Sequence, residues 1–425
     1  MRAVRVSVNG EPMRFEDLKL MPPLLQSLAD CGYAEPTPIQ AQTIPLLLGG
    51  RDVIASAQTG TGKTAAFVLP ALQRLSGEPR AASKRRGVGV PGALVLAPTR
   101  ELAQQVATQS ILYGRNTRLR TVCVFGGAPY PPQNRDIERG VDVLVATPGR
   151  LIDHLERGRI DLSKLQILVL DEADRMLDMG FSEDVDRICA LAPSTRQTVL
   201  FSATFDGAIG RLASRLTRDA ARIDVRAAVA SPVAIEQRVH FADDRSHKYR
   251  LLDRLLANVG DGQSIVFIAT KRDAEALANK LQDEGHTAAA LHGDMHQRER
   301  DRTLTRLRRG GVRTLVATDV AARGIDVPGV SQVINFDLPR QAENYVHRIG
   351  RTGRAGAAGI AVSLANPPER GMLRLIERYT GSSIPAHVIP GLEPRARNRD
   401  AASRRHSRSG MMTGNGGRER SRTRR

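Results

Sequence analysis

Two short stretches carry residues suited to handling a nucleoside triphosphate. The first is Ala57-Gln58-Thr59-Gly60-Thr61-Gly62-Lys63-Thr64, which follows one apolar run and precedes another. Glycines at 60 and 62 let backbone N–H groups wrap phosphate oxygens, because glycine accepts dihedrals that other residues avoid. Lys63 would neutralise the β- and γ-phosphates, and Thr64 would ligate Mg²⁺. Ala57 stands where the strict pattern has glycine. The second stretch is Ile167-Leu168-Val169-Leu170-Asp171-Glu172, two carboxylates at the end of an apolar run. Asp171 would hold Mg²⁺ through water, and Glu172 would orient or deprotonate an attacking water.

Both stretches need a scaffold that ends buried strands at one edge. Runs at 52–55, 93–96, 141–145, 167–170 and 198–201 are rich in Val, Ile and Leu and read as strands buried on both faces. Segments with helical periodicity, such as 99–113, lie between them, which makes a βαβ series and a parallel sheet. Ligands bind beyond the carboxyl ends of such strands. The series breaks near residue 220. After a helix at 249–259, a second series follows, with strands at 264–268, 287–291, 314–317, 332–336 and 360–364. The expected organisation is α/β, with a first domain over 1–220, a linker over 221–235, a second domain over 236–385 and a disordered Arg-rich tail over 386–425. Leu144-Val145-Ala146-Thr147 recurs as Leu315-Val316-Ala317-Thr318, as duplicated domains would show.

A chain of 425 residues with 41% hydrophobic residues can bury two cores. No apolar run approaches the roughly 18 residues of a membrane span, and the first residues lack a secretory apolar stretch. The three cysteines form no Cys-x-x-Cys pair, so the sequence indicates neither a zinc site nor a disulfide framework, and a cytoplasmic home fits. The formal charge is +18, and residues 394–425 alone hold 11 Arg against Asp400 and Glu419. That balance points to a polyanionic partner. The tail has no Phe, Tyr or Trp and cannot offset its ordering entropy. Residues 77–92, with Lys84, Arg85 and Arg86, read as a mobile basic loop.

Together, the phosphate loop and Asp171-Glu172-Ala173-Asp174 closely resemble the DEAD-box RNA helicases, with the bacterial RhlE-like subgroup nearest; further family motifs follow in order from residue 15 to about 364. The resemblance implies two tandem RecA-like domains of the P-loop NTPase type, with ATP and RNA held across the cleft between them. Phe15 and residues 32–40 look like the adenine-reading motif. There Gln40 would bond adenine through its paired donor and acceptor, and Tyr33 would stack on the base. Phe15 reads equally as a core aromatic. Ser202-Ala203-Thr204 resembles the motif that couples ATP state to strand separation. In His347-Arg348-Ile349-Gly350-Arg351-Thr352-Gly353-Arg354, the resemblance makes Arg351 and Arg354 arginine fingers and has His347 meet Asp174. Gly324 and Asp326 would lie at the ribose.

The same resemblance assigns RNA contacts to Thr99, Arg100, Gly127, Thr147, Gly149 and Arg150 in the first domain, and to Gly293, Arg300 and Thr318 in the second. Hydroxyls, glycines and arginines suit sugar–phosphate contacts, which position a strand without reading it. The implied activity is ATP-dependent unwinding or remodelling of RNA duplexes and RNA–protein complexes. An ATP-gated RNA clamp or annealing chaperone is the alternative. The implied cofactors are ATP and Mg²⁺. The implied setting is a monomeric core working on RNA, with ribosome or RNA-degradation assemblies as possible partners.

Overall fold

The computed structural model describes residues 13–56, 61–77, 87–202, 207–224, 235–260, 262–322, 329–353 and 358–395. Ala57 to Gly60, Thr204, Gly324, Asp326, Arg354, most of the basic loop and the chain from 396 onward lie outside the described residues.

The first sheet is built from β1 (Val53–Ser56), β2 (Ala93–Leu96), β3 (Thr121–Val124), β4 (Val143–Ala146), β5 (Ile167–Leu170), β6 (Gln197–Ser202) and β7 (Ala221–Asp224). Its order is β3-β4-β2-β5-β6-β1-β7, and every pairing is parallel. The second sheet holds β8 (Glu236–Phe241), β9 (Gln263–Phe267), β10 (Ala288–Leu291), β11 (Thr314–Ala317), β12 (Val330–Asn335) and β13 (Ile360–Ala365). Its order is β10-β11-β9-β12-β13-β8, again all parallel. The expected two-domain α/β architecture is therefore present. The repeated Leu-Val-Ala-Thr sequences sit in β4 and β11, each second from the matching edge of its sheet.

β2, β4 and β5 are apolar at every position because both faces are covered. In β5, Ile167 and Val169 join one core cluster while Leu168 and Leu170 join the other. β2 divides in the same way, Ala93 and Val95 against Leu94 and Leu96. Three strands absent from the sequence reading, β3, β7 and β8, are all sheet edges. Edge strands bury little, and β7 buries only Ile223, so their sequences carry little periodic signal.

Two boundaries shift. Residues 221–224 fall in the expected linker, yet they form β7, because β1 has an open edge that they pair with in register. Residues 386–395 fall in the expected tail, yet they pack on the second domain. Ala386 bridges Val239, the His387 N–H donates to Val239 O (2.8 Å), His247 Nε2 lies 3.0 Å from Leu392 O, and the Arg395 N–H donates to Asp243 (2.9 Å).

Candidate active site and strand groove

A cleft of about 700 Å³ opens between the two sheets. From the first domain it is lined by Tyr33, Gly62, Lys63, Thr64, Asp171 and Glu172, and from the second by Arg351. Asp171 and Glu172 follow a strand, Lys63 and Thr64 open a helix, and Arg351 follows the helix Ala342–Ile349. Gly62, with φ +89°, caps the helix Lys63–Ser76 and swings Lys63 and Thr64 to its first turn. Asp171 directly follows β5, and Glu172 adopts φ +54° and ψ +55°. That left-handed conformation costs a non-glycine residue about 1 kcal/mol. In return, the helix Ala173–Asp178 begins at once, the Arg175 and Met176 N–H groups donating to Glu172 O at 3.0 and 3.2 Å.

Asp171 is almost wholly buried, and its Oδ1 has no hydrogen-bond partner among the described residues. Lys63 Nζ stands 3.8 Å away. Burial raises the Asp171 pKa to about 6; Lys63 opposes the shift, while Glu172 and Asp174 add to it. A buried carboxylate this short of partners is suited to a cation, which would restore its ionised form.

Gln40, expected at the base, is engaged within the protein. Its Oε1 accepts from the Thr37 N–H (2.9 Å), and its Nε2 donates to Gly62 O (3.0 Å), so the carboxamide ties the helix Pro38–Leu48 to the phosphate loop. One N–H and one lone pair remain for adenine. A side chain at residue 62 would collide with this carboxamide. Tyr33 is 45% exposed at the cleft, its ring 6.3 Å from that of Tyr113. Phe15 lies elsewhere: it is 3% exposed in the core with Leu18, Leu20 and Leu24, which fits the core-aromatic reading of the two that the sequence left open. Ser202 is buried at the end of β6 and in register with Ser56, the last residue before the phosphate loop.

The two described arginines and the histidine of the second-domain motif differ in position. Arg348 is a strut. It bonds both oxygens of Asp319 (2.6 and 2.8 Å), Asn335 Oδ1 and Asp337 O, and it stacks over Phe267. Arg351 extends to the cleft shared with Lys63, Asp171 and Glu172. His347 and Arg351 also line a small cavity with Arg175, the residue after Asp174.

A second groove, about 500 Å³, gathers most of the residues expected to meet RNA: Thr99, Arg100, Thr147, Gly149, Arg150 and, from the other domain, Gly293. Thr99 caps the helix Arg100–Tyr113 through the Leu102 N–H (3.3 Å). Gly127, at φ +75°, lies against the Arg100 guanidinium, where a Cβ would clash. Thr318 caps the helix Asp319–Ala322, its carbonyl accepting from the Ala321 and Ala322 N–H groups.

Arg300 requires a correction. It lines this groove, but its guanidinium is largely committed to protein. Nε and Nη2 donate to Glu101 Oε1 across the cleft (2.9 and 2.6 Å), Nη1 to His292 O and Nη2 to Ala321 O. Both partners of the ion pair are about 8% exposed. Arg100 Nη1 adds a second bridge, to Gln297 Oε1 (2.9 Å). Sequence reasoning missed Glu101 as a functional residue because an acidic residue in a helix's first turn is ordinary there. Its partner lies 199 positions away.

Comparison with known proteins accords with this geometry. The DEAD/DEAH box helicase family matches residues 37–212, and the helicase conserved C-terminal domain matches 247–356. The chain is 45% identical over 380 residues to the ATP-dependent RNA helicase DeaD of Mycobacterium tuberculosis, covering 89% of this chain and 65% of that protein. It thus spans just under two thirds of that relative. It is 43% identical to the ATP-dependent RNA helicase SrmB of Haemophilus influenzae, covering 90% of this chain and 87% of SrmB. Saccharomyces cerevisiae Dbp5 bound to RNA and ADP BeF3 superposes with a TM-score of 0.78 at 34% identity, over 93% of this chain and 99% of that one. A Dbp5 structure with ADP and the proteins Nup159 and Gle1 superposes at 0.60 and 33% identity, over 91% and 99%. With the Lys63, Asp171 and Glu172 side of the cleft facing Arg351 of the second domain, and SrmB covered over 87% of its length at 43% identity, the chain belongs to the DEAD-box helicase family.

Proposed function

We propose that this protein is an RNA-stimulated ATPase that converts closure of its cleft into local unwinding or remodelling of RNA. One observation carries the reading: Lys63, Thr64, Asp171 and Glu172 from one sheet line the same cleft as Arg351 from the other. Among the described residues, Lys63 and the two carboxylates come from one domain and the Arg351 guanidinium from the other, so full charge stabilisation requires the domains to meet. The groove that spans both domains gives a bound strand the means to draw them together. The two Dbp5 comparisons support a closed arrangement. At nearly equal identity and coverage, the chain superposes better on the form bound to RNA and ADP BeF3 than on the form with ADP, Nup159 and Gle1.

Lys63 holds the β- and γ-phosphates, Glu172 orients the attacking water and accepts its proton, and Arg351 and Arg354 steady the charge on the transferring group. Asp171 and Thr64 would hold Mg²⁺, which supplies further charge neutralisation on the phosphate oxygens. Asp174 and His347 transmit the nucleotide state between domains, and Ser202 with Thr204 relays it to the strand groove. RNA contacts are to sugar and phosphate, so binding is independent of sequence. On the same sequence resemblance, the protein acts in the cytoplasm as a monomeric RhlE-like core, with ribosome or RNA-degradation assemblies as its setting. Among the described residues no helix is long and apolar enough to cross a membrane.

The test is Glu172→Gln, which keeps size and hydrogen bonding but removes the base. ATP turnover should fall by about 10²-fold or more while ATP-dependent RNA binding persists. Wild-type turnover in this variant would end the assignment. ATPase stimulation by RNA against DNA of the same sequence identifies the substrate. Strand displacement from short duplexes separates unwinding from a clamp.

A further inference from the structure

Beside the strand groove, one tyrosine organises two arginines. Tyr130 opens the helix Tyr130–Glu138, just after the Gly126-Gly127 turn. Its ring centroid lies 4.1 Å from Arg150 Cζ and 4.3 Å from Arg157 Cζ. Its hydroxyl donates to Asp153 Oδ2 (2.8 Å), which stands 3.6 Å from Arg150 Nε. Arg150 is the inner cation: it is 8% exposed, donates to Ala128 O (2.9 Å) and lines the groove. Arg157 is the outer one, exposed at the C-terminal end of the helix Pro148–Glu156.

No carboxylate pairs with Arg157 among the described residues. The nearby acids are engaged elsewhere, Glu156 with Arg187 (2.7 Å) and Glu138 with Arg159 (3.0 Å). His154, edge-on to Tyr130, is buried and held neutral, its pKa lowered to about 4 by burial and by Arg150. A cation at a helix C-terminus stabilises it by about 0.3–1 kcal/mol, but that effect needs no ring beneath the guanidinium. A guanidinium laid on an aromatic face has lost rotamer freedom, while its N–H edges remain free for a planar acceptor.

We infer that Arg157, braced by Tyr130, is a phosphodiester contact that extends the strand groove one or two nucleotides beyond Arg150. The two guanidiniums share one ring, so the groove's inner cation has a second, exposed cation directly beside it. The contact rests on the RNA reading above and places an additional ionic anchor outside the cleft.

The experiment measures the salt dependence of single-stranded RNA affinity for wild-type protein, Arg157→Ala, Arg157→Lys and, as a control for net charge, Arg254→Ala on the second domain. Each phosphate neutralised on a single strand contributes about 0.7 to the slope of log K against log salt. Arg157→Ala should lose about that much slope and roughly 3- to 5-fold in affinity at low salt, with the melting temperature lowered by no more than about 2–4 °C. Arg157→Lys should keep the slope, and Arg254→Ala should keep both slope and affinity. A slope for Arg157→Ala equal to wild type, or a loss matched by Arg254→Ala, overturns the inference. Absence of salt-dependent RNA binding in the wild type would instead overturn the proposed function.

Discussion

The Glu101–Arg300 pair should control cleft closure and leave the fold of each domain almost untouched. When the domains separate, both side chains return to water. When they meet, both are about 8% exposed, and two guanidinium nitrogens share Glu101 Oε1. Glu101→Ala leaves Arg300 fixed to His292 O and Ala321 O in the closed state with no anion beside it. Removing one partner of a desolvated pair costs about 2–5 kcal/mol. The Arg100–Gln297 bridge survives, so the lower half of that range applies. At about 1.4 kcal/mol per tenfold, 2–3 kcal/mol weakens closure roughly 30- to 150-fold. The assay is RNA affinity in the presence of a non-hydrolysable ATP analogue, together with the RNA concentration that half-stimulates the ATPase. In ligand-free protein the variant should lose at most about 1 kcal/mol, the part owed to an acidic residue in a helix's first turn. Pairing Glu101→Ala with Arg300→Ala in a double-mutant cycle should place the coupling in the closed state alone. If ligand-free stability drops by several kcal/mol while RNA stimulation stays at wild type, the pair is a structural strut and the reasoning fails.

Asp171 should give a pH-dependent stability in nucleotide-free, metal-free protein. Its folded pKa of about 6 lies above that of the unfolded chain, so the folded form holds a proton that the unfolded form releases. Stability from this group is full below pH 4 and is lost as pH rises to about 6, an effect on the order of 2–3 kcal/mol. Asp171→Asn should therefore raise the melting temperature at pH 8 by several degrees and little at pH 4, while abolishing ATP hydrolysis. An equal gain at both pH values would exclude the buried carboxylate as its source. The Arg-rich residues 396–425 should tether RNA through charge alone, so deleting them should weaken binding strongly at low salt and little at high salt. Unchanged affinity at low salt would rule out the tether.

What the sequence determined follows from local chemistry. A run such as Ile167–Leu170, rich in Ile, Leu and Val, reads as a strand covered on both faces, and the structure puts Asp171 directly after it at the sheet's carboxyl edge. The glycines before Lys63 likewise commit a turn to phosphate. Those features placed both domains and marked Lys63 and Asp171-Glu172 as candidates, whereas Arg351, which lines the same cleft, was implied by the family resemblance alone. The edge strands β3, β7 and β8 were illegible because their order comes from a neighbour's unpaired edge and not from their own apolar pattern. Tertiary structure also assigned roles among like residues. Arg348 and Arg351 stand three positions apart, yet one is locked to Asp319 and Asn335 while the other lines the cleft. Phe15 went to the core, and Gln40 acquired a bond to Gly62 that its composition alone did not announce. Arg300, expected to meet RNA, became half of a bridge to Glu101. Spacing fixes which chemistry a residue can perform. Which of several capable residues performs it depends on what lies opposite, and in a two-domain protein that partner can sit some two hundred positions along the chain.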